Sequence, residues 1–245
     1  MRINEGFSLK VLPEGEPVEV LGTSLALQYV TGVEIDHRIA CAWRKFWSMK
    51  QLLLNRGASV RRRLQLFDVT VGSCVLWCCR SWTPRYEELR QLRVAWHSML
   101  RRICAQKRHA DEDYIDWIRR STGRARRFAT QAGVREWAHT FGLYKWAWAG
   151  HVARRPASTW LWRVSFWRDA EWTQLSLTCA SVRPLRPSRR RWMKWEHVLQ
   201  RFARQAGLGS WTSFACSGFA QKWLELQGDF ADFVRNSMGA DVADG

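Results

Sequence analysis

Leu89-Arg-Gln-Leu-Arg-Val-Ala-Trp-His-Ser-Met-Leu-Arg-Arg-Ile103 is the stretch on which the fold turns. Leu89, Leu92, Trp96, Met99, Leu100 and Ile103 recur at the spacing of one helix face and predict an apolar stripe that must meet a core. Opposite that stripe, at about 100° per residue, Arg90, Arg93, His97 and Arg101 predict a cationic ridge along a single face. Upstream, Thr83-Pro84 reads as a helix start, because proline is tolerated in a first turn. Downstream, Asp111-Glu-Asp113 opens another helix, where acids favour the positive end of the helix dipole. That helix runs into Arg119, Arg120, Arg124, Arg126 and Arg127, the densest basic cluster in the chain.

Towards the N-terminus the helical period continues. Ile35, Ile39, Ala42, Phe46, Met49 and Leu53 form one stripe, ended by Asn55-Arg-Gly57. A second helix starts near Ser59, with Val60, Leu64, Phe67, Val71, Cys74 and Cys78 in its stripe. Its second half is apolar all round, which predicts a central buried helix, with a strand as the alternative because of its β-branched content. Before these, Val18-Glu-Val-Leu21 alternates between Pro17 and Gly22, as a short hairpin does. Towards the C-terminus, Val134, Trp137, Phe141, Tyr144, Trp148 and Val152 predict an amphipathic helix stopped by Pro156. Residues 176–190 combine prolines and serines with Arg183, Arg186, Arg189 and Arg190, the composition of an exposed basic linker. Two further helices are expected around Trp192, Trp195, Leu199 and Phe202, then Phe219, Trp223, Leu226, Phe230 and Phe233, separated by Gly207 to Ser210.

The expected fold is therefore mainly α: a short N-terminal β-hairpin, a multi-helix bundle and a smaller C-terminal helical region. The expected boundaries are 1–32 for the hairpin, 33–156 for the main helical domain and 157–190 for an Arg/Trp-rich connector. A helical pair follows in 191–235, then a disordered tail in 236–245.

Charge points to the class of partner. The chain carries 39 Lys+Arg against 22 Asp+Glu, a net charge of +17, and 17 tryptophans. Residues 1–36 and 229–245 are net acidic, so the basic excess is concentrated between them. Of the cations 32 are arginines and 7 are lysines. Arginine forks phosphate and stacks on planar rings, whereas lysine is a point charge. Arg and Trp interleave at Trp160-Leu-Trp-Arg163 and Arg189-Arg-Arg-Trp192, a combination suited to a polyanion with stackable bases. Acidic membrane surface is the electrostatic competitor. No apolar run reaches the roughly 18–20 residues of a membrane span. The seven cysteines and the absence of a signal pattern predict reduced thiols and a nuclear or cytoplasmic location.

Catalytic chemistry is not legible. Two-metal nucleotidyl transfer needs converging carboxylates, and no adjacent Asp pair occurs. Asp111, Glu112, Asp113 and Asp116 read as helix-capping acids. No Gly-Lys-Ser/Thr phosphate loop is found. Cys74, Cys78 and Cys79 lack the loop spacing of a zinc site, so neither metal nor other cofactor is expected. His151, in Gly150-His-Val-Ala-Arg154, has no nucleophile beside it in sequence and reads as structural or phosphate-facing. The candidate contact set for RNA or DNA phosphates is thus Arg90, Arg93, His97, Arg101, Arg119, Arg120, Arg124, Arg126, Arg127, His151, Arg154, Arg155, Arg189, Arg190 and Arg191.

Several short strings, in order, resemble the region that follows the catalytic palm in reverse transcriptases of non-LTR (LINE-type) retrotransposons. They are Leu21-Gly22, Glu34-Ile-Asp-His-Arg-Ile-Ala40, Leu76-Trp77 with Ser81-Trp82-Thr83, and Met99-Leu-Arg-Arg-Ile103 with Arg108. Trp148-Ala-Gly-His-Val-Ala-Arg154 is the most specific, and Arg191-Trp192 with Trp211, Ala220 and Trp223 closes the set. The resemblance spans about residues 15–235. It implies a thumb-like helical domain and downstream helices that grip template and primer. The paired aspartates of the palm are absent, so the expectation is a C-terminal fragment that binds nucleic acid without polymerising it. Two alternatives stay open: the product of a decayed retroelement with no selected function, and a basic helical module that binds a membrane surface or an acidic protein.

Overall fold

The computed structural model describes residues 16–25, 30–156, 158–162, 195–217 and 220–236. A two-stranded antiparallel sheet at the N-terminus is followed by about ten helices, the mainly α architecture expected. The strands are β1 (Val18–Val20) and β2 (Thr23–Leu25). The helices are α1 (Val30–Ser48), α2 (Lys50–Leu53), α3 (Val60–Phe67), α4 (Ser73–Val75), α5 (Tyr86–Cys104), α6 (Tyr114–Gln131) and α7 (Trp137–Ala153). The C-terminal set is α8 (His197–Gln205), α9 (Trp211–Cys216) and α10 (Ala220–Asn236). The expected linker in 176–190 and the tail beyond 236 lie outside the described residues, as do Arg189, Arg190, Arg191 and Trp192.

Val18 pairs with Leu25 and Val20 with Thr23, which leaves Leu21-Gly22 as a two-residue turn. Both turn residues have positive φ, 50° and 74°. That is the primed turn whose twist matches the strands it joins.

The residues group into two compact units. One comprises Met1–Cys78 with His97–Val134, and the other Cys79–Trp96 with Arg135–Gly245. Helix α5 gives its first half to the second unit and its second half to the first. Within the second unit α7 packs chiefly on α10.

In the first unit, α1 buries Ile35, Ala42 and Phe46, and α3 buries Leu64 and Phe67. Ser59 caps α3 by accepting from the Arg62 N–H at 3.3 Å. Between α3 and α4 the chain takes one π-helical turn, Asp68–Gly72. A π-turn inserts one extra residue into the helix and rotates the face that follows. Val75 is therefore buried in place of Cys74, and the helix ends before Cys78, which is exposed with a φ of 56°. The expectation of a central helix buried all round fails here, since Val69 and Trp77 face solvent.

Two buried cations hold this unit together. Arg38 Nε donates to Glu34 Oε1 at 2.6 Å, and its Nη2 donates to the Gly22 carbonyl. The other Glu34 oxygen accepts from the Ser24 N–H at 2.5 Å. One buried ion pair thus fastens the hairpin to α1. Arg63 donates to the carbonyls of Ile103 (2.6 Å), Leu53 (3.3 Å) and Ala58 (3.2 Å). It thereby satisfies orphan carbonyls at the C-terminal ends of α2 and α5.

In the second unit the helix buried nearly all round is α7. Trp137, Phe141, Trp146, Ala149 and Val152 are inaccessible or nearly so, and so is Lys145. Trp146 stacks on Trp223 of α10 with centroids 3.8 Å apart, and its Nε1 donates to the Trp223 carbonyl at 2.7 Å. Glycine makes the approach possible. A Cβ on Gly142 would lie 2.7 Å from the Ala231 Cα, and one on Gly150 would lie 2.5 Å from Trp223 Nε1.

Candidate functional site

Helix α6 presents three exposed arginines within four residues, Arg124, Arg126 and Arg127. It starts where the Asp113 carboxylate accepts from the Ile115 N–H at 2.7 Å. Small residues Ser121, Ala125 and Ala129 face inwards, as their spacing of four requires. Arg124, Arg126 and Arg127 consequently point outwards and are exposed. No acidic side chain among the described residues pairs with any of the three. Arg124 lies 5.7 Å from the Phe128 ring centroid, which steadies its guanidinium by a cation–π contact. Gly123, Arg126, Arg127, Thr130 and Gln131 line an open cleft of about 430 Å³. All five belong to α6, so its outward face carries two guanidinium forks with a hydroxyl and an amide beside them.

The remaining arginines of this cluster are differently employed. Arg120 clamps Glu112 in a two-pronged ion pair, Nε to Oε1 at 2.6 Å and Nη2 to Oε2 at 2.7 Å. That fork holds the Glu112 carboxyl down at about 2. Arg119 sits beside Asp116 at 3.4 Å on an exposed surface, where screening leaves the pair weak. Arg101 reaches α6 and donates to Thr122 Oγ1 at 3.0 Å, half-buried, with burial lowering its proton affinity. The first unit therefore brings Arg101 to α6, next to the residues of the cleft.

The ridge expected on α5 does not form one free surface. Arg93 lies nearer the apolar stripe than its opposite face, and it is spent inside the second unit. Its Nε meets Glu136 at 2.7 Å and its Nη2 donates to the Arg235 carbonyl at 3.2 Å. His97 is half-buried, and Arg90 is exposed beside Glu87 at 3.6 Å.

The Gly150-His-Val-Ala-Arg154 string has a structural employment. Gly150 admits Trp223, and the His151 ring stacks on Trp148 at 5.2 Å. Arg155 Nε donates to His151 Nε2 at 3.3 Å, and Arg154 reaches the Ala215 carbonyl at 3.4 Å. Arg154 and Arg155 remain exposed.

Two groups escaped the sequence reading. Lys145 is fully buried, donating to the Trp82 carbonyl at 2.6 Å, with the Trp195 ring 4.8 Å and the Phe141 ring 5.6 Å from its Nζ. Burial pushes its amine down to about 7. Arg102 lies over Trp43 and Trp47 of α1. A Trp pair four apart on a helix was the available signal for the second. Nothing in the residue pattern marks the first, since a lysine ordinarily signals solvent.

Among the described residues no group of three His, Cys, Asp or Glu side chains is placed to hold a metal ion. No helix among them is long and apolar enough to cross a membrane. Comparison of the chain with protein-family models, curated proteins and solved structures returns no match.

Proposed function

We propose that the chain binds nucleic acid through its phosphates, with the outward face of α6 as the primary contact surface. In this reading it is a helical protein similar to the region that follows the palm in non-LTR retrotransposon reverse transcriptases, and it does not itself polymerise. The observation that carries the reading is the set Arg124, Arg126 and Arg127, exposed beside an open cleft and without acidic partners among the described residues. Holding three guanidinium groups together without counter-charge disfavours the unbound state, and a polyanion relieves that cost by releasing its own counterions. Backbone contact of this kind positions a strand without reading its bases.

The test is charge reversal at Arg126 and Arg127, followed by RNA binding over a range of salt concentrations. Both side chains are exposed on one helix, so the helical circular dichroism should be unchanged. Each lost phosphate contact should weaken binding and reduce the salt slope by roughly one. Unchanged affinity in the doubly reversed, folded protein removes α6 from the interface.

A further inference from the structure

We propose that Trp43 and Trp47 of α1, with Arg102 of α5, form a stacking platform for the bases of single-stranded nucleic acid. The inference rests on the nucleic-acid reading above and narrows it to strands whose bases are unpaired. Trp43 and Trp47 lie one turn apart, their rings 6.2 Å between centroids and inclined by only 22°. The buried Phe46 meets Trp47 edge-on at 5.3 Å and 90°, fixing the indole from below. Arg102 is held by its own helix, with Nη1 donating to Ser98 Oγ at 2.7 Å and to the Ser98 carbonyl at 3.1 Å. Its guanidinium carbon stands 4.9 Å from the Trp43 centroid and 6.0 Å from that of Trp47.

Packing does not account for this arrangement. Trp137, Trp146, Trp211 and Trp223 are fully buried, as tryptophans used for core volume should be, whereas Trp47 stays 47% exposed. Arg102 is the cation against the rings; it is exposed and has no acidic partner among the described residues. The chemistry that complements a half-open indole with a guanidinium beside it is a planar base on a phosphodiester. The ring supplies a sequence-tolerant π-face and the Arg102 guanidinium meets the backbone phosphate. In a duplex the bases are stacked on one another and offer the ring no face.

The test compares wild type with Trp47→Ala and Trp47→Phe on three probes: oligothymidylate, an abasic phosphodiester of the same length, and a duplex of that length. Wild type should prefer oligothymidylate over the abasic strand. Trp47→Ala should bind oligothymidylate about 5- to 100-fold more weakly, as loss of one base–aromatic stack implies. Its affinity for the abasic strand and for the duplex should hold, and its salt slope on each probe should match wild type. Trp47→Phe, which keeps a smaller ring, should retain part of the preference. Undiminished oligothymidylate binding by a folded Trp47→Ala overturns the platform while leaving the phosphate surface of α6 standing. Absence of salt-dependent binding by wild type to all three probes overturns both. Selective loss of binding to anionic phospholipid vesicles in Trp47→Ala, with nucleic-acid binding intact, assigns the rings to a lipid surface and also overturns the platform.

Discussion

Lys145 offers the sharpest test of how the second unit is held together. Among the described residues its ammonium has one hydrogen-bond acceptor, the Trp82 carbonyl, and lies against the rings of Trp195 and Phe141. Burial lowers its pKa from the ordinary 10.5 to about 7. Between those values the unfolded chain holds a proton that the folded chain does not, so stability from this group rises with pH from about 7 to 10. Each pH unit in that window corresponds to about 1.4 kcal/mol, giving roughly 5 kcal/mol across the whole span. Lys145→Met keeps the length of the side chain and deletes the titration. It also strips the Trp82 carbonyl of its donor, a pH-independent cost of about 1–3 kcal/mol. The assay is urea denaturation of wild type and variant at intervals from about pH 6 to pH 10, taking the difference in stability at each pH, which cancels the repulsion common to both highly cationic chains. The variant should gain most on wild type near pH 6, and that advantage should shrink steadily as pH rises. Parallel profiles would refute the reasoning, because they would mean that the amine keeps its solvent and its ordinary proton affinity in the folded protein.

Gly142→Ala forces a Cβ to 2.7 Å from the Ala231 Cα, a backbone atom that cannot step aside, and should lower stability by about 1–3 kcal/mol in thermal melts. Arg38→Leu leaves Glu34 buried without its partner and should cost roughly 3–5 kcal/mol by denaturant titration; adding Glu34→Leu should recover much of that loss. Arg93→Glu sets a second acid against Glu136, so its melting temperature should fall, whereas Arg126→Glu should leave the melt unchanged and weaken RNA binding. Trp96→Ala removes a buried aromatic and should destabilise the protein by about 3–5 kcal/mol in the same titration.

Helices were readable where apolar spacing and local caps agreed. The α5 stripe is buried throughout, and Ser59 and Asp113 cap α3 and α6 as their positions suggested. Periodicity failed where the backbone changed its own period. The π-turn at Asp68–Gly72 moved burial from Cys74 to Val75, and no residue type announces such a turn. It failed again at α7, where the buried Lys145 and the outward Tyr144 disguised a central helix as an amphipathic one. The short helix α9 was missed because Gly207 to Ser210 read as a complete connection to the next helix. At the candidate site, sequence located the α6 cluster but not which of its members are free. Arg120 and Arg126 look alike in a string of arginines, and only the fold brings Glu112 to the first and leaves the second in solvent.

The central claim is that phosphate contacts bring this chain to nucleic acid, and the most direct measurement is the affinity of the 245-residue chain for single-stranded RNA as salt is varied. Log affinity should fall linearly with log salt, by roughly 0.7 for each phosphate neutralised. With Arg124, Arg126 and Arg127 engaged together, the slope should be at least about 2. A salt response that is flat, or no binding at low salt, would contradict the account.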